Sequence, residues 1–296
     1  MNKKDVLIVV VTYNRKEELK MCIFALRDQT FHNYDILVVN NGSSDGTTEW
    51  LNSQKGIIAI HQDNLGGAGG FYAGMKYMMD HKYNYLVMMD DDGIPDKDEI
   101  KSLINAYCEI IEQEGKDAIV NALVVDKEDN RFTSFNWARG SGRSKEISKL
   151  KNIPYFEDIH PFNGTLVPRT VIEKIGYIKR EMFIWGDEKE YMARAIHYGI
   201  GLYTVTSAIH YHPKERGVLG NIIPFIPKFK IVLKPKKFSH NFYRNEAYIY
   251  SHYPEKRNKM WPFFWAYFIR YSTHFDFGEL WKFVVYFRKG VNNQYD

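Results

Sequence analysis

The sequence predicts an α/β fold, in which a mainly parallel central sheet flanked by helices is followed by a helical, aromatic-rich C-terminal extension. Three observations support this. Short runs rich in β-branched residues alternate with helical patterns through the first half of the 296-residue chain. Polar and glycine-rich segments follow the predicted strands. From residue 213 onward the composition shifts to Pro, Lys and aromatic residues.

In the first half, each predicted strand is followed by a helix of ordinary length, the order expected of a parallel sheet covered on both faces. In such sheets, ligands bind at the carboxyl ends of the strands. The predicted strands are Val6–Thr12, Ile36–Asn40, Ile57–His61, Tyr85–Asp90 and Ala118–Val125, and the predicted helices are Lys16–Gln29, Thr47–Ser53, Ala68–His81 and Asp96–Glu114.

The second half has a weaker α/β pattern. Residues 126–158 are polar and lack a clear period, which predicts a long loop near the site. A strand at Pro161–Val167, helices at Thr170–Ile175 and Asp187–Tyr198, and a strand at Gly201–Thr206 are predicted after it.

Charge is spread unevenly along the chain. The part from Pro213 to the end has 15 Lys and Arg against 6 Asp and Glu, whereas the remainder has 25 against 30. A basic, aromatic-rich tail is typical of contact with a membrane surface, a polyanionic substrate or another subunit. The apolar run Trp261–Ile269 is much shorter than the roughly 20 residues that a membrane-spanning helix needs. We therefore expect no membrane-crossing segment.

Three consecutive carboxylates, Asp90, Asp91 and Asp92, end the apolar run Tyr85–Met89. Adjacent carboxylates repel one another, so a compensating cation is expected in the folded state. Their hard oxygen ligands suit Mg²⁺ or Mn²⁺, which would bridge two phosphates and neutralise a leaving diphosphate. The alternative is a solvated turn that caps the following helix.

Two further loops follow predicted strands. In the segment Asn40–Thr47, Asn41 or Asp45 would accept hydrogen bonds from a base or ribose, although Asp45 is equally suited to cap a helix. The glycine-rich turn Asn64–Phe71 lets backbone N–H groups approach an anion at a helix N-terminus. Its spacing fits neither the dinucleotide fingerprint nor a P-loop.

Acidic residues recur at the start of the helix predicted from Asp187. Asp187 and Glu188 are candidates for a general base that deprotonates an acceptor hydroxyl, and the helix dipole alone would also favour them there. His210 and His212 follow the last predicted strand, and either is a candidate metal ligand.

Taken in order, these motifs resemble the inverting family 2 glycosyltransferases of the GT-A fold. The resemblance covers roughly residues 5–213. The turn at 66–71 and the segment Phe183–Glu188 look most like the galactofuranosyltransferase and rhamnosyltransferase branch. The resemblance implies a catalytic domain at 1–213, with a donor half at 1–125 and an acceptor half at 126–213. A helical extension would follow at 214–296. The motifs that carry the resemblance are Val10–Arg15, Asn41–Thr47, Asp90–Asp92 and Asp187–Glu188.

The resemblance also implies roles for individual residues. Asp90 and Asp92 would hold the donor through Mn²⁺ or Mg²⁺, with His212 preferred to His210 as a further metal ligand. Glu188 would be the base, with Asp187 as its rival. The donor-binding residues would be Thr12, Tyr13, Asn14, Asn41, Asp45, Asn64, Asp90, Asp91 and Trp185, with Asn41 standing where many members have Asp.

The expected function is metal-dependent, inverting transfer of a sugar from UDP-galactofuranose, or alternatively dTDP-rhamnose. The acceptor would be a glycan or lipid-linked glycan in cell-surface polysaccharide synthesis. A nucleotidyltransferase would need a basic, glycine-rich loop after the first strand, which Thr12–Arg15 does not supply. Intact Asp90, Asp92 and Glu188 disfavour an inactive sugar-nucleotide-binding protein.

The location and the partners of the protein can also be predicted from the sequence. We expect a cytoplasmic protein at the inner face of the cell membrane, with membrane-surface contact through residues 241–288. Contact of the tail with another subunit, in a homo-oligomer, is the alternative use of that surface. No nucleic-acid partner is expected.

Overall fold

The computed structural model describes residues 4–135, 146–150, 152–214 and 217–295. The chain divides into two compact units, one formed by Met1–Arg180 with Tyr198–Glu215 and the other by Glu181–His197 with Arg216–Asp296. Of the long loop predicted at 126–158, residues 136–145 and 151 lie outside the described residues. The remainder of that loop contains a single 3₁₀ turn at Ile147–Lys149 and one short strand.

The first unit contains a nine-stranded sheet and five helices within the described residues. Its strands are β1 Val6–Thr12, β2 Tyr34–Asn40, β3 Ile57–His61, β4 Tyr85–Asp90, β5 Ile94–Pro95, β6 Ala118–Asp126, β7 Tyr155–Glu157, β8 Asn163–Pro168 and β9 Gly201–His212. Its helices are α1 Lys16–Arg27, α2 Thr47–Ser53, α3 Gly66–Asp80, α4 Glu99–Glu114 and α5 Arg169–Ile175.

The sheet has the order β3-β2-β1-β4-β8-β6-β9-β5, with β7 added beside β9. Strands β3, β2, β1 and β4 are parallel, as are β6 and β9, while β8 runs antiparallel between β4 and β6. The predicted fold class is therefore confirmed. Thr12 pairs with Asn40, Val11 with Asp90 and Asn40 with His61, so four strands end level with one another.

All seven residues of β1 are buried, as expected for a strand covered on both faces. Helix α3 packs very close to it. A Cβ atom on Gly74 would lie 2.5 Å from Val9 Cγ1, and one on Gly70 would lie 2.5 Å from Val11 Cγ1. Glycine at these positions is thus required by the short distance between helix and strand. The close packing fixes the glycine-rich start of α3 at the carboxyl end of β1.

Two boundaries differ from the predicted ones in ways that shape the site. Helix α4 begins at Glu99, three residues later than the predicted Asp96, because Asp96 N still bonds to Ile209 O of β9, directly after the short strand Ile94–Pro95. Strand β9 continues beyond Thr206 to His212, since it resumes pairing with β6 after an irregularity between Ala122 and Leu123. The strand itself therefore carries both histidines of the predicted site.

The second unit contains four helices and a two-stranded hairpin within the described residues. The helical, aromatic-rich character of the extension is confirmed, and the hairpin is an addition that the sequence pattern did not predict. No helix among the described residues is long and apolar enough to cross a membrane. The elements are α6 Asp187–His197, β10 Val218–Ile223, β11 Ile226–Leu233, α7 Ser239–His252, a 3₁₀ helix at Pro254–Lys259, α8 Met260–Thr273 and α9 Phe277–Val291.

Aromatic side chains form the core of this second unit. Tyr243 meets the rings of Tyr267 and Phe283 edge-on, and Tyr267 stacks on Phe283, with ring centroids 5.2–5.6 Å apart. The buried members are Phe242, Tyr243, Ala247, Tyr267, Tyr271, Phe283 and Phe287.

Candidate functional site

The three consecutive carboxylates lie in the turn between β4 and β5. Strand β4 brings Asp90 to the end of the sheet, and the pairing of β5 with β9 returns the chain toward His210 and Tyr211. Asp91 is only 4% exposed, whereas the side chains of Asp90 and Asp92 are partly buried. The turn is therefore held at both ends by the sheet, and it places carboxylates of different burial side by side.

Asp91 is the best-anchored member of this turn. Thr12 Oγ1, at the end of β1, donates a hydrogen bond of 2.7 Å to Asp91 Oδ2, and Arg15 Nη1 lies 3.3 Å from Oδ1. Burial raises the pKa of Asp91 to about 6, although Thr12 and Arg15 act in the opposite direction. Both oxygens of Asp91 are thus engaged within the protein.

Asp92 faces a histidine from β9. Its Oδ2 accepts a hydrogen bond of 2.6 Å from Arg15, and its Oδ1 lies 3.3 Å from His212 Nε2. Burial alone would raise the pKa of Asp92, but His212 and Arg15 outweigh it and hold the pKa at about 2. Among the described residues, none donates to Oδ1 with hydrogen-bond geometry. Asp92 therefore stays ionised and keeps one buried oxygen available for a cation.

The orientation of the His212 ring determines how the charge of Asp92 is compensated. His212 Nδ1 lies 2.7 Å from Pro213 O, and since a carbonyl only accepts, Nδ1 carries the proton of this hydrogen bond. In the neutral ring, Nε2 then presents a lone pair to Asp92 Oδ1. Two acceptors 3.3 Å apart require a positive charge, either on the ring or between the two groups. Without a metal the ring supplies it, because Asp92 outweighs burial and raises the pKa of His212.

The donor atoms of this pair fit a hard divalent cation. A carboxylate oxygen and an imidazole nitrogen are ligands for Mn²⁺, and a backbone carbonyl that fixes the other ring nitrogen is typical of metal-ligating histidines. Among the described residues no three His, Cys, Asp or Glu side chains converge on a shared position. Phosphate oxygens and water would therefore have to complete the coordination, as is usual for Mg²⁺ and Mn²⁺ sites in phosphate chemistry.

Asp90 lies next to this pair. Burial, together with the charges of Asp92 and Asp91, raises its pKa above the usual range of a carboxylic acid. A cation bound at the turn would reverse that effect. Asp90 is thus the carboxylate whose charge the protein alone compensates least.

His210 has a different environment from His212. It is fully buried, and its Nδ1 lies 3.0 Å from Oε2 of the equally buried Glu99. A Cβ atom on Gly93 would lie 2.1 Å from His210 Nε2, so only glycine fits beside the ring. His210 therefore packs beneath the turn, while His212 faces the carboxylates. Glu99 had no predicted role, because no local sequence pattern shows that Glu99 and His210, which are 111 positions apart, are partners.

The loops after β1 and β2 are joined by hydrogen bonds. Asn14 adopts a φ of 53°, and its Oδ1 accepts a bond of 2.7 Å from Ser44 N while its own N–H donates to Ser43 Oγ. Asp45 accepts from Lys16 N at 2.9 Å and from Thr47, which lowers its pKa although burial opposes the shift. Asn14 and Asp45 therefore fix the shape of this rim.

Asn41 and Asn64 join the next two loops. The side chain of Asn41, 2% exposed, donates to Gly66 O at 2.8 Å and accepts from Gln62 Nε2 at 2.6 Å. Asn64 Oδ1 accepts from Gly66 N at 2.9 Å at the start of α3. Tyr13, in contrast, is 47% exposed. Tyr13 and Asn64 are thus exposed to solvent, whereas Asn41 is buried and uses its amide to hold the loops together.

Arg15 is the main residue of this site that the sequence analysis left without a role. It belongs to the motif Val10–Arg15, but only the fold shows that it reaches both Asp91 and Asp92. Its side chain is 50% exposed and brings a positive charge to both carboxylates, in addition to His212 beside Asp92. A basic residue directly after a strand end, opposite an acidic run at the next strand end, is the signal that would have identified it.

The predicted base lies in the second unit, at the start of α6. Glu188 Oε2 accepts a bond of 3.1 Å from Gly186 N, and Asp187 is buried, at 5% exposure. Gly186 has a φ of 114°, and a Cβ there would lie 2.9 Å from Asn245 Cβ. Trp185, with a φ of 59°, has Lys234 Nζ 4.9 Å from its ring centroid. The segment before α6 is thus bent tightly against α7.

Asn245 holds this bend in place, and the sequence analysis did not predict it. Its Nδ2 lies within hydrogen-bond distance of the carbonyls of Met182, Ile184 and Trp185, at 2.9, 3.2 and 2.9 Å. Asn245 itself is fully buried. Helix α7 therefore determines the direction from which the chain enters α6, and with it the position of Glu188 within the second unit.

Similarity to known proteins identifies the family of this chain. The profile of Glycosyl transferase family 2 matches residues 7–176, more than half of the chain. The chain belongs to this family. Its members are glycosyltransferases, and the recognition made from the ordered motifs is confirmed.

Individual relatives agree with the family. The galactofuranosyltransferase GlfT1 of Mycobacterium tuberculosis is 29% identical over 220 residues, which cover 71% of this chain and 70% of that protein. Two solved structures share the fold at 12% identity. The S. aureus protein TarS in complex with UDP has a TM-score of 0.55 and covers 91% of this chain and 70% of its own. The mannosyltransferase PcManGT from Pyrobaculum calidifontis, in complex with GDP-Man and Mn²⁺, has a TM-score of 0.53, and the match covers 88% of this chain and 65% of that protein's chain.

Proposed function

We propose that this family 2 glycosyltransferase is metal-dependent and inverting, and that it transfers galactofuranose from UDP-galactofuranose to a glycan or lipid-linked glycan acceptor of the cell surface. One observation carries the metal-dependent part. Asp92 Oδ1 faces His212 Nε2 at 3.3 Å while Nδ1 is committed to the Pro213 carbonyl, so the pair needs a positive charge, which a bound divalent cation would supply in place of a proton on the ring. The similarity to galactofuranosyltransferase GlfT1 supports the choice of donor.

In this proposal Asp92 and His212 hold Mn²⁺ or Mg²⁺, with Asp90 beside them. When bound, the cation would supply positive charge that offsets the charge of the leaving diphosphate. Arg15, already paired with Asp91 and Asp92, adds a second positive charge at the same turn. The donor-binding residues of this proposal are Trp185 in the second unit and, in the first unit, Thr12, Tyr13, Asn14, Asn41, Asp45, Asn64, Asp90 and Asp91.

The reaction needs one base and no covalent sugar intermediate. Glu188, with Asp187 as the rival, would accept the proton of the acceptor hydroxyl as its oxygen forms a bond to the anomeric carbon. The bond from that carbon to the diphosphate oxygen breaks on the opposite side, which inverts the configuration, and the nucleoside diphosphate leaves with the bonding electrons. Glu188 sits in the first turn of α6.

A donor panel tests this proposal. UDP-galactofuranose, dTDP-rhamnose and other UDP-sugars are each added with Mn²⁺, and thermal stabilisation and nucleoside diphosphate release are recorded. We expect the largest stabilisation with UDP-galactofuranose and Mn²⁺ together. Preference for dTDP-rhamnose would replace the donor and leave the site intact. Absence of stabilisation by every nucleotide would refute the proposal.

Variants separate the metal site from general effects on folding. Asp92→Asn should abolish the Mn²⁺-dependent part of donor stabilisation, because the buried oxygen that faces His212 loses its charge. The matched control is Asp80→Asn, whose carboxylate is 52% exposed and paired only with Lys76 on the surface. The control should keep wild-type metal dependence. Thermal stabilisation by a nucleotide sugar without release of nucleoside diphosphate, whichever acceptor is added, would favour an inactive sugar-nucleotide-binding protein instead.

A further inference from the structure

The hairpin β10–β11 in the second unit has an unusually apolar and exposed tip. Phe225 is 99% exposed, Phe229 is 55% exposed and Ile226 is 43% exposed. Phe225 lies in the turn itself, with a φ of 65°. Large apolar side chains that are exposed together in a soluble protein usually mark an interaction surface. These three residues form what we call the hairpin tip.

The strands that carry the tip, in contrast, are firmly attached, both close to the turn and at the base of the hairpin. Arg270 of α8 donates to Asn221 O, Thr273 Oγ1 lies 3.3 Å from Ile222 O, and Tyr267 donates to Val232 O. Ile231 packs against the aromatic core of the unit. The exposure of the tip is therefore not a consequence of a loosely held hairpin. A rigid base presents the tip to solvent.

The charge around the tip is of one sign. Residues 217–238 contain five lysines and no Asp or Glu. Lys228 and Lys230 lie within β11 beside the tip, and both are exposed. Lys228 Nζ lies 5.6 Å from the centroid of the Phe229 ring. Such a surface is complementary to an anionic partner that offers an apolar layer beneath its charges.

Two features of the hairpin disfavour a second copy of this chain as the partner. Pro227 in β11 lacks the N–H that strand addition would need, and lysines beside it are a common device against edge-to-edge pairing. An isologous contact would also bring Lys228 and Lys230 of both copies together. A bilayer surface has neither difficulty.

Helix α8, to which the hairpin is attached, adds a second exposed surface of the same chemistry. Trp261, Trp265 and Ile269 are spaced by four residues and therefore share one face of the helix. They are 56%, 52% and 37% exposed. Tryptophan favours the boundary between lipid headgroups and acyl chains, where its ring is partly apolar and its N–H remains hydrated.

We propose that the hairpin tip inserts into the surface of an anionic lipid bilayer. Phe225, Ile226 and Phe229 enter the boundary of the acyl chains, while Lys228 and Lys230 contact the headgroups. The face of α8 defined above lies at the same interface. This inference depends on neither the donor nor the metal proposed for the glycosyltransferase site.

Vesicle co-sedimentation tests the proposal. Wild type should bind vesicles of phosphatidylcholine mixed with phosphatidylserine, should bind pure phosphatidylcholine weakly, and should dissociate as salt is raised. The double variant Lys228→Gln, Lys230→Gln should lose roughly fivefold in binding for each lysine. The double variant Phe225→Ser, Phe229→Ser should lose about tenfold or more for each ring. The control is Phe24→Ser, since Phe24 is 73% exposed on α1 of the other unit, and it should bind like wild type.

A site-specific probe decides whether the tip itself inserts. Phe225→Trp should be quenched by brominated lipids in mixed vesicles, beyond the quenching seen in wild type. Circular dichroism establishes that each variant is folded, and nucleoside diphosphate release in solution should equal that of wild type. Absence of wild-type binding to anionic vesicles, or binding without quenching at Phe225→Trp, would overturn the proposal. So would a wild-type dimer in sedimentation equilibrium that the Phe225→Ser, Phe229→Ser variant converts to monomer.

Discussion

The helix that carries the predicted base contains a buried ion pair whose loss should be measurable. Arg194 binds Glu190 through two hydrogen bonds, of 3.1 Å from Nε and 2.6 Å from Nη2, and the two side chains are 17% and 2% exposed. The hydroxyl of Tyr253 also donates to Glu190. Replacing Arg194 with Met preserves most of the side-chain volume, but it leaves the carboxylate of Glu190 buried without its cation.

Removing one partner of a buried pair costs about 3–5 kcal/mol, because the remaining charge stays desolvated. At an unfolding entropy of about 2.1 cal/mol/K per residue, each kcal/mol lowers the midpoint of thermal unfolding of a chain of 296 residues by about 1.6 °C, so Arg194→Met should lower it by roughly 5–8 °C. Glu190→Gln combined with Arg194→Met should recover most of this loss, since the amide oxygen still accepts from Tyr253 and no charge remains buried.

Urea unfolding followed by tryptophan fluorescence is the appropriate assay. Four of the six tryptophans, Trp185, Trp261, Trp265 and Trp281, belong to the second unit, so the signal reports chiefly on the part that contains the ion pair. Lys76→Met is the control, since its surface pair with Asp80 should contribute less than about 1 kcal/mol. A loss below about 1 kcal/mol in Arg194→Met, or a double variant as unstable as the single one, would refute the reasoning.

Three further predictions concern the site and its surroundings. Burial lowers the pKa of His160 to about 4 despite the opposing charge of Asp158, so the unfolded state binds a proton below about pH 6.5 that the folded state does not. His160 should therefore contribute a loss of about 1–2 kcal/mol from pH 7 to pH 5, which the raised pKa values of Asp90 and Asp91 oppose. In urea unfolding, His160→Phe should lack this contribution, so its free energy of unfolding should change more favourably than that of wild type as the pH falls. Asp92→Asn should bind donor equally with Mn²⁺ or EDTA in isothermal titration calorimetry. Glu188→Gln should reduce turnover by about 10²–10⁴-fold, with donor binding retained, in an assay of sugar transfer.

Each of these has an outcome that contradicts it. An identical pH dependence of stability in His160→Phe and wild type would mean that His160 does not make the predicted contribution. Metal-dependent donor binding in Asp92→Asn would exclude Asp92 as a ligand. Wild-type turnover in Glu188→Gln would remove the base assignment and make Asp187→Asn the next variant to measure.

The sequence was sufficient for the elements that carry a strong local pattern. Strands β1, β3 and β4 begin and end at the predicted residues, because each is an apolar run bounded by polar or glycine residues. The order of motifs was likewise enough to recognise the family. The hairpin β10–β11 escaped prediction since its strands mix proline, lysine and aromatic residues, a composition without a period. Its stability comes from contacts with α8 that no local pattern reveals.

The sequence alone determined that three carboxylates follow a strand, that a glycine-rich turn opens a helix and that acidic residues begin another. The tertiary structure decided what each does. It placed Arg15 on Asp91 and Asp92, turned His212 toward Asp92 and buried His210 against Glu99, although the two histidines are only two residues apart. The reason is that partners in a parallel sheet are separated by whole βαβ units along the chain. The distances between such partners, and the charges that surround them, are therefore set by strand register, which local residue type and spacing do not show.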